Sequence, residues 1–149
     1  MIRLTPYVRI AENNAQLGID TMGQYYLVAN LDKKEYLSPH RIDSGAKARE
    51  WLYSGNLTRL LGILLIDGDG RGGGDVDIAL SGRWAKDRVV IGGDYADKEP
   101  NKEHNIYDLI HTEEGWKDIT EDIVHSLKQS PRTKDDEWAK KIRYVPSTY

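Results

Sequence analysis

The chain has no cysteine and no phenylalanine, and only two methionines and five prolines among its 149 residues. Without cysteine there are no disulfides, no thiolate zinc sites and no cysteine nucleophile. The same absence fits a cytoplasmic location. Long apolar runs are missing too. The longest, Leu60 to Ile66, is interrupted by Gly62, far short of the roughly 20 residues that cross a bilayer. The opening MIRLTPYVRIAENNAQ lacks the apolar stretch of a secretory signal, so a membrane partner is not expected. Neither sign of charge dominates: 21 Lys and Arg stand against 24 Asp and Glu, a net charge of −3. A protein whose main partner is nucleic acid starts from a basic face, which this balance does not supply. GxxxxGK[ST], GxSxG and HExxH are all absent, and with them the usual signatures of phosphate cradles, serine hydrolases and zinc proteases.

What is present suits one domain with a modest core and a well-solvated surface: 39% apolar and 30% charged residues. Nine tyrosines and four tryptophans carry all the aromatic mass. Their polar tips favour core boundaries and interfaces.

Residues 2–11, IRLTPYVRIA, read as a strand that Pro6 confines to an edge, and residues 12–23 as a linker. Tyr25 to Leu31 is β-branched and aromatic, and with EYLS across Asp32-Lys33-Lys34 it predicts a hairpin. AKAREWLY reads as a helix with Ala48, Trp51 and Leu52 on one face. A second helix, LTRLLGILLI, is capped by Asn56 and apolar nearly all round, hence buried. Gly82 to Trp84 with Arg88 to Ile91 reads as another hairpin. Asn105 caps a short helix through NIYDLIHT, and Thr120 or Asp118 caps EDIVHSLK. WAKKIRYV closes the chain as a strand or a short helix. Helices do not alternate singly with strands, so the expected fold is α+β: a single domain with a small, mostly antiparallel sheet and about four helices. The organisation expected is an extension over 1–21, a core over 22–130 and a tail over 131–149 that packs back.

Three stretches, MGQYYLVANLDKKEYLSPH (22–40), GRGGGD (70–75) and GRWAKDRVVIGGDYAD (82–97), together resemble a family of small prokaryotic proteins with no assigned activity. The resemblance runs from Met22 to Asp122 at most and implies no catalytic residue. The chain departs from that pattern in the residues that precede Met22.

The most unusual segment is DGDGRGGGDVD, Asp67 to Asp77. Read as an EF-hand it fails, because Arg71 falls at position 5 and Ile78 where a bidentate glutamate is needed. A looser site for calcium or magnesium remains, with Asp67, Asp69 and Asp75 as hard oxygen ligands, joined by Asp94 and Asp97. A phosphate cradle is the second option, with Arg71 and the amides of Gly72, Gly73 and Gly74 facing an anion. The third is structural. Gly68 supplies a left-handed cap, the glycine run permits a close approach or a bulge, and the aspartates bond their own turns. Histidines 40, 104, 111 and 125 are scattered; any of them is a general-base candidate.

The leading expectation is a small binding or interaction module. It presents the loop 67–77 and the GDYAD loop 93–97 to a protein or small ligand, through Arg71, Gly72, Gly73, Gly74, Trp84 and Tyr95. The alternatives are a divalent-metal-dependent hydrolase built on the loop aspartates, and a structural subunit that assembles with copies of itself.

Overall fold

A computed structural model describes residues 23–146. The expected strand over 2–11, the start of the linker and the last three residues lie outside this range. The fold is α+β. A four-stranded sheet has the order β3-β1-β2-β4, with β1 at Tyr26–Asn30, β2 at Glu35–Leu37, β3 at Val89–Gly93 and β4 at Lys117–Asp118. Among the described residues five α-helices accompany it: α1 Ala48–Ser54, α2 Asn56–Leu65, α3 Ile106–Thr112, α4 Thr120–Gln129 and α5 Glu137–Lys141. A 3-10 turn, Pro39–Ile42, follows β2. None of these helices is long and apolar enough to cross a membrane.

The sheet is covered on both faces, which is why β1 is apolar on successive residues: Leu27, Val28 and Ala29 are all buried. Val28 and Leu37 face the larger core with Leu57, Leu60, Ile63 and Leu64 of α2 and Ile123 and Leu127 of α4. Leu27 and Ala29 face a smaller core with Ile106, Leu109 and Ile110 of α3. Gly92 makes the second contact possible. A Cβ there would come within 2.2 Å of Ile106 Cγ2, so only glycine lets α3 lie against β3.

The predicted hairpin of Tyr25–Leu31 with EYLS is present, with Val28 opposite Leu37 and Asn30 opposite Glu35. Buried Asn30 closes its turn: Oδ1 accepts from Asp32 N and Lys33 N, and Nδ2 donates to Asp87 Oδ2 at 2.8 Å. The second predicted hairpin is not formed. Residues 81–87 run as turns, and Gly82 N and Trp84 N donate to Ile63 O and Leu64 O at the end of α2. The carbonyls of a helix's last turn need donors, and this segment supplies them. Gly82 is held there at φ +77°, where a Cβ would meet Ile66 O at 2.6 Å. β3 pairs instead with β1, and β2 gains a parallel partner in β4.

The helices follow their periodicity with local corrections. In α1, Ala48, Trp51 and Leu52 share one face and line one apolar groove, but only Trp51 is buried. In α2, Gly55 is the N-cap and Asn56 the first helical residue. That helix is buried on one face only; Leu65 and the adjoining Ile66 are exposed. Asn105 caps α3, its side chain accepting from Asp108 N. Asp118 Oδ1 accepts from Thr120 N and Oγ1 at the start of α4. The segment WAKKIRYV contributes α5, and Ala139 and Ile142 sit in the larger core.

One buried acid ties the turns to the sheet. Glu35 takes a two-pronged bond from Arg83 Nε, at 3.1 and 3.0 Å, with Arg83 Nη2 also on Oε1. Trp84 Nε1 donates to Glu35 Oε2 at 2.8 Å. Burial pushes the Glu35 carboxyl up, but the Arg83 and Trp84 hydrogen bonds outweigh it and hold the group below the usual glutamate range.

Candidate functional site

In the loop 67–77 two of the four aspartates, Asp69 and Asp75, turn inward onto the loop's own amides. Asp75 Oδ2 accepts from three successive amides, Gly70, Arg71 and Gly72, at 2.8–2.9 Å. Three converging N–H groups are what an anion-binding nest offers, and here the nest holds the chain's own carboxylate. Asp69 does the same further on, accepting from Val76 N at 2.9 Å and Ile78 N at 3.1 Å. Burial raises the Asp69 pKa, but backbone bonds from Ile78, Asp77 and Val76 outweigh it and leave the group below its ordinary value. Asp67 is exposed and pairs with Lys86 at 3.3 Å. The loop is fastened to the fold by Ser130 Oγ, which donates to Val76 O, and Arg132 Nη1, which donates to Asp75 O.

The candidate residues of this region therefore part company. Among the described residues no group of three or more His, Cys, Asp or Glu is placed to hold a metal ion. Arg71, Gly72, Gly73 and Gly74 are exposed. No backbone approaches the glycine run: Gly73 and Gly74 have nothing within 4 Å of a built Cβ, and Gly72 only the Asp75 side chain. The left-handed cap expected of Gly68 is not used; α2 ends on Ile66 in an extended conformation, and Gly68 reaches φ +92° two residues later. Trp84 is fully buried, its indole N–H committed to Glu35, and offers no face to a ligand. Tyr95 and Asp97 are exposed, on the far side of β3 in sequence.

Asp94 leads elsewhere. Its Oδ1 accepts from Tyr25 N at 3.0 Å, and its own N–H donates to Tyr25 O at 3.0 Å. Its carbonyl, with that of Ala96, accepts from Asn105 Nδ2 at 3.1 and 3.0 Å. Asn105 is buried and also caps α3. Asn105 thus ties the GDYAD loop to the start of α3, and Asp94 ties the same loop to Tyr25 just before β1.

Beside this tie, on the α3 side of the sheet, a cleft of about 510 Å³ is lined by Tyr25, Tyr36, His40, Arg41, Tyr107, His111 and Asp118 over a floor that includes Leu27 and Pro39. That volume falls within the range of small-ligand pockets. Tyr25 and His40 lie with ring centroids 5.8 Å apart, Tyr107 and His111 with centroids 5.0 Å apart. His111 Nδ1 sits 2.7 Å from Tyr107 O, one turn back on α3. Burial raises the Tyr107 pKa, reinforced by Asp94 and Asp108. Burial, then Asp118, raises that of Tyr36. Both phenols keep their protons at neutral pH and act as hydrogen-bond donors and acceptors. Arg41 is occupied. Burial works against its charge, but Tyr144 Oη accepts from Nη1 at 2.7 Å and Asp118 lies close by, and together they keep it charged. Asp118 Oδ2 lies 2.9 Å from Arg41 Nε as an ion pair, without the alignment of a hydrogen bond.

Of the residues that the sequence marks as candidates, only Asp94 supports this cleft, together with two of the four histidines. Tyr107 and Arg41 lie in no motif, Tyr25 and Tyr36 fall inside the quoted stretch 22–40 without a role, and Asp118 is marked only as a helix cap. The one signal for them is the tyrosine-rich composition combined with the alternation that puts Tyr25 and Leu27 on one face of β1. No family model, curated protein or solved structure matches the chain.

Proposed function

We propose that the protein is a small binding module whose ligand occupies the tyrosine–histidine cleft. The observation that carries this reading is the convergence of three phenols and two imidazoles on a preformed cleft between β1, β2, the 3-10 turn and α3. The net charge of the lining is close to balanced, because Arg41 and Asp118 pair. Aromatic faces with protonated phenol edges suit an uncharged, planar molecule with hydrogen-bonding edges, such as a nucleobase or an aromatic amide. In this reading the GDYAD loop serves binding by holding Tyr25, and the glycine loop is a self-satisfied clasp. A metal-dependent hydrolase is disfavoured, because the Asp69 and Asp75 oxygens already accept backbone amides.

The test is titration of the full chain with nucleobases, nucleosides and aromatic carboxamides, followed by thermal unfolding and by NMR of the tyrosine rings. A ligand of the native state at a hundredfold excess over its Kd raises stability by about 2.7 kcal/mol. The shift is expected to weaken in Tyr107→Phe and His40→Ala. If no probe moves the Tyr25, Tyr36 or Tyr107 resonances, or if the probes that bind shift the backbone amide resonances of the loop 67–77 instead, the proposal fails.

A further inference from the structure

The loop 67–77 holds two Asp-Gly bonds, Asp67-Gly68 and Asp69-Gly70. Such a bond carries its own reagents. The glycine nitrogen is placed to close a five-membered ring on the aspartate Cγ, and glycine puts no side chain in the way. Whether the ring closes depends on what holds those two atoms.

At Asp69-Gly70 both are held. The Asp69 carboxylate accepts from Val76 N at 2.9 Å and Ile78 N at 3.1 Å. Gly70 N donates to Asp75 Oδ2 at 2.9 Å. The space is closed as well, since a Cβ at Gly70 would meet Asp77 Oδ1 at 2.9 Å. At Asp67-Gly68 both are loose. The Asp67 side chain is 64% exposed and its partner Lys86 85% exposed, so water competes for both groups. Among the described residues nothing bonds the Gly68 N–H, and a Cβ there would meet nothing within 4 Å.

We propose that Asp67-Gly68 is a site of spontaneous isomerisation to isoaspartate, from which the loop's own hydrogen bonds protect Asp69-Gly70. Gly68 N attacks Cγ of the protonated Asp67 carboxyl. The N–Cγ bond forms and the Cγ–OH bond breaks. The amide proton leaves with the hydroxyl as water, and a succinimide remains. Water then reopens the ring. Opening at Cγ restores aspartate. Opening at the former backbone carbonyl routes the main chain through Cβ and Cγ and frees an α-carboxylate. Mass is unchanged, and the new carboxylate is the kind of group that an isoaspartyl methyltransferase esterifies.

The rearrangement adds one carbon to the main chain at a tight place. Gly82 N and Trp84 N close the end of α2 on Ile63 O and Leu64 O. A Cβ at Gly82 would lie 2.6 Å from Ile66 O and 3.9 Å from Asp67 Cα. The isomerised chain therefore loosens the turns over 81–84.

The test ages the full, unsubstituted chain at physiological temperature and neutral pH, beside a sample unfolded in guanidinium chloride. One tryptic peptide, Leu60 to Arg71, carries both bonds, so its fragmentation reads one against the other. Labelling by an isoaspartyl methyltransferase counts the product. In the folded chain isoaspartate is expected at residue 67 at least about tenfold faster than at residue 69, because the second site must first break its hydrogen bonds. In the unfolded chain the two sites are expected to react at similar rates. Equal rates in the folded chain would overturn the proposal. So would the absence of isoaspartate at residue 67 over a period in which the unfolded chain acquires it. The isomerised fraction is expected to exchange its Gly82 and Trp84 amides faster than the parent, and equal exchange would overturn the loosening of 81–84.

Discussion

The loop of residues 67–77 and the tyrosine–histidine cleft differ in where their polar groups point. In the loop, aspartates that are close in sequence bond to amides that are close in sequence, and the segment satisfies itself. In the cleft, Tyr25, Tyr36, His40 and Tyr107 come from separate segments and direct rings into shared space. Concentration along a chain favours short-range hydrogen bonds, because closing a short loop costs little entropy. A binding surface needs groups whose partners are not already next door. β2 shows the division within two residues. Glu35 points to the turns that follow the loop, and Tyr36 points to the cleft.

The largest effect expected from separating the two regions is at Glu35. Glu35→Gln keeps one acceptor oxygen but removes the negative charge and sets an NH2 against the Arg83 or Trp84 donors. Because Arg83 is partly exposed and its charge stays solvated, a loss of about 2 kcal/mol is expected, the scale of a hydrogen bond to a charged group, read as a lower urea midpoint. The folded pKa of Glu35 lies below its ordinary value, so its contribution is complete above the ordinary glutamate pKa and is lost as pH falls through the folded value. Glu35→Gln should flatten that acid limb of stability.

Next, Asp75→Ala and Asp69→Ala each release backbone amides to water and are expected to cost about 1 kcal/mol. Neither should alter the response to the cleft probes. A change in probe affinity without a change in stability would reverse the roles assigned to the two regions. Asn105→Ala belongs to the other side. It should cost a similar amount, about 1 kcal/mol, as a lost helix cap, and it should also weaken every cleft probe. Tyr107→Phe is smaller in stability, within about 0.5 kcal/mol, and its effect should appear in binding, about fivefold for one neutral hydrogen bond. Smallest of all is the effect of EDTA: the melting temperature is expected to stay unchanged, since the carboxylates that would hold an ion already accept amides.

The fold was legible wherever local pattern and tertiary contact agree. Tyr25–Leu31 reads as a hairpin strand from its β-branched and aromatic residues, and Tyr26–Asn30 forms that strand. Asn105 reads as a cap from its neighbours alone. The stretch Gly82–Trp84 resembles a strand by composition, yet it donates to the carbonyls that end α2, a demand set by an element some twenty residues earlier. Leu52 has the spacing of a core residue and faces outward, because the groove beside it is covered by nothing within residues 23–146. The loop aspartates were conspicuous for the reason that disqualifies them, since glycine-rich neighbours bring amides within reach. The cleft was illegible because its residues share no spacing; only the sheet register and the seat of α3 bring them together.

The lock at Asn105 has a consequence for motion. Its side chain holds Asp94 O, Ala96 O and Asp108 N at once, so α3 cannot swing from the sheet while the GDYAD loop stays in place. Widening the cleft and fraying the first turn of α3 become a single cooperative event. Such events are rarer and slower than the rocking of an untethered helix, and a ligand of this cleft should come and go on the clock of that one asparagine.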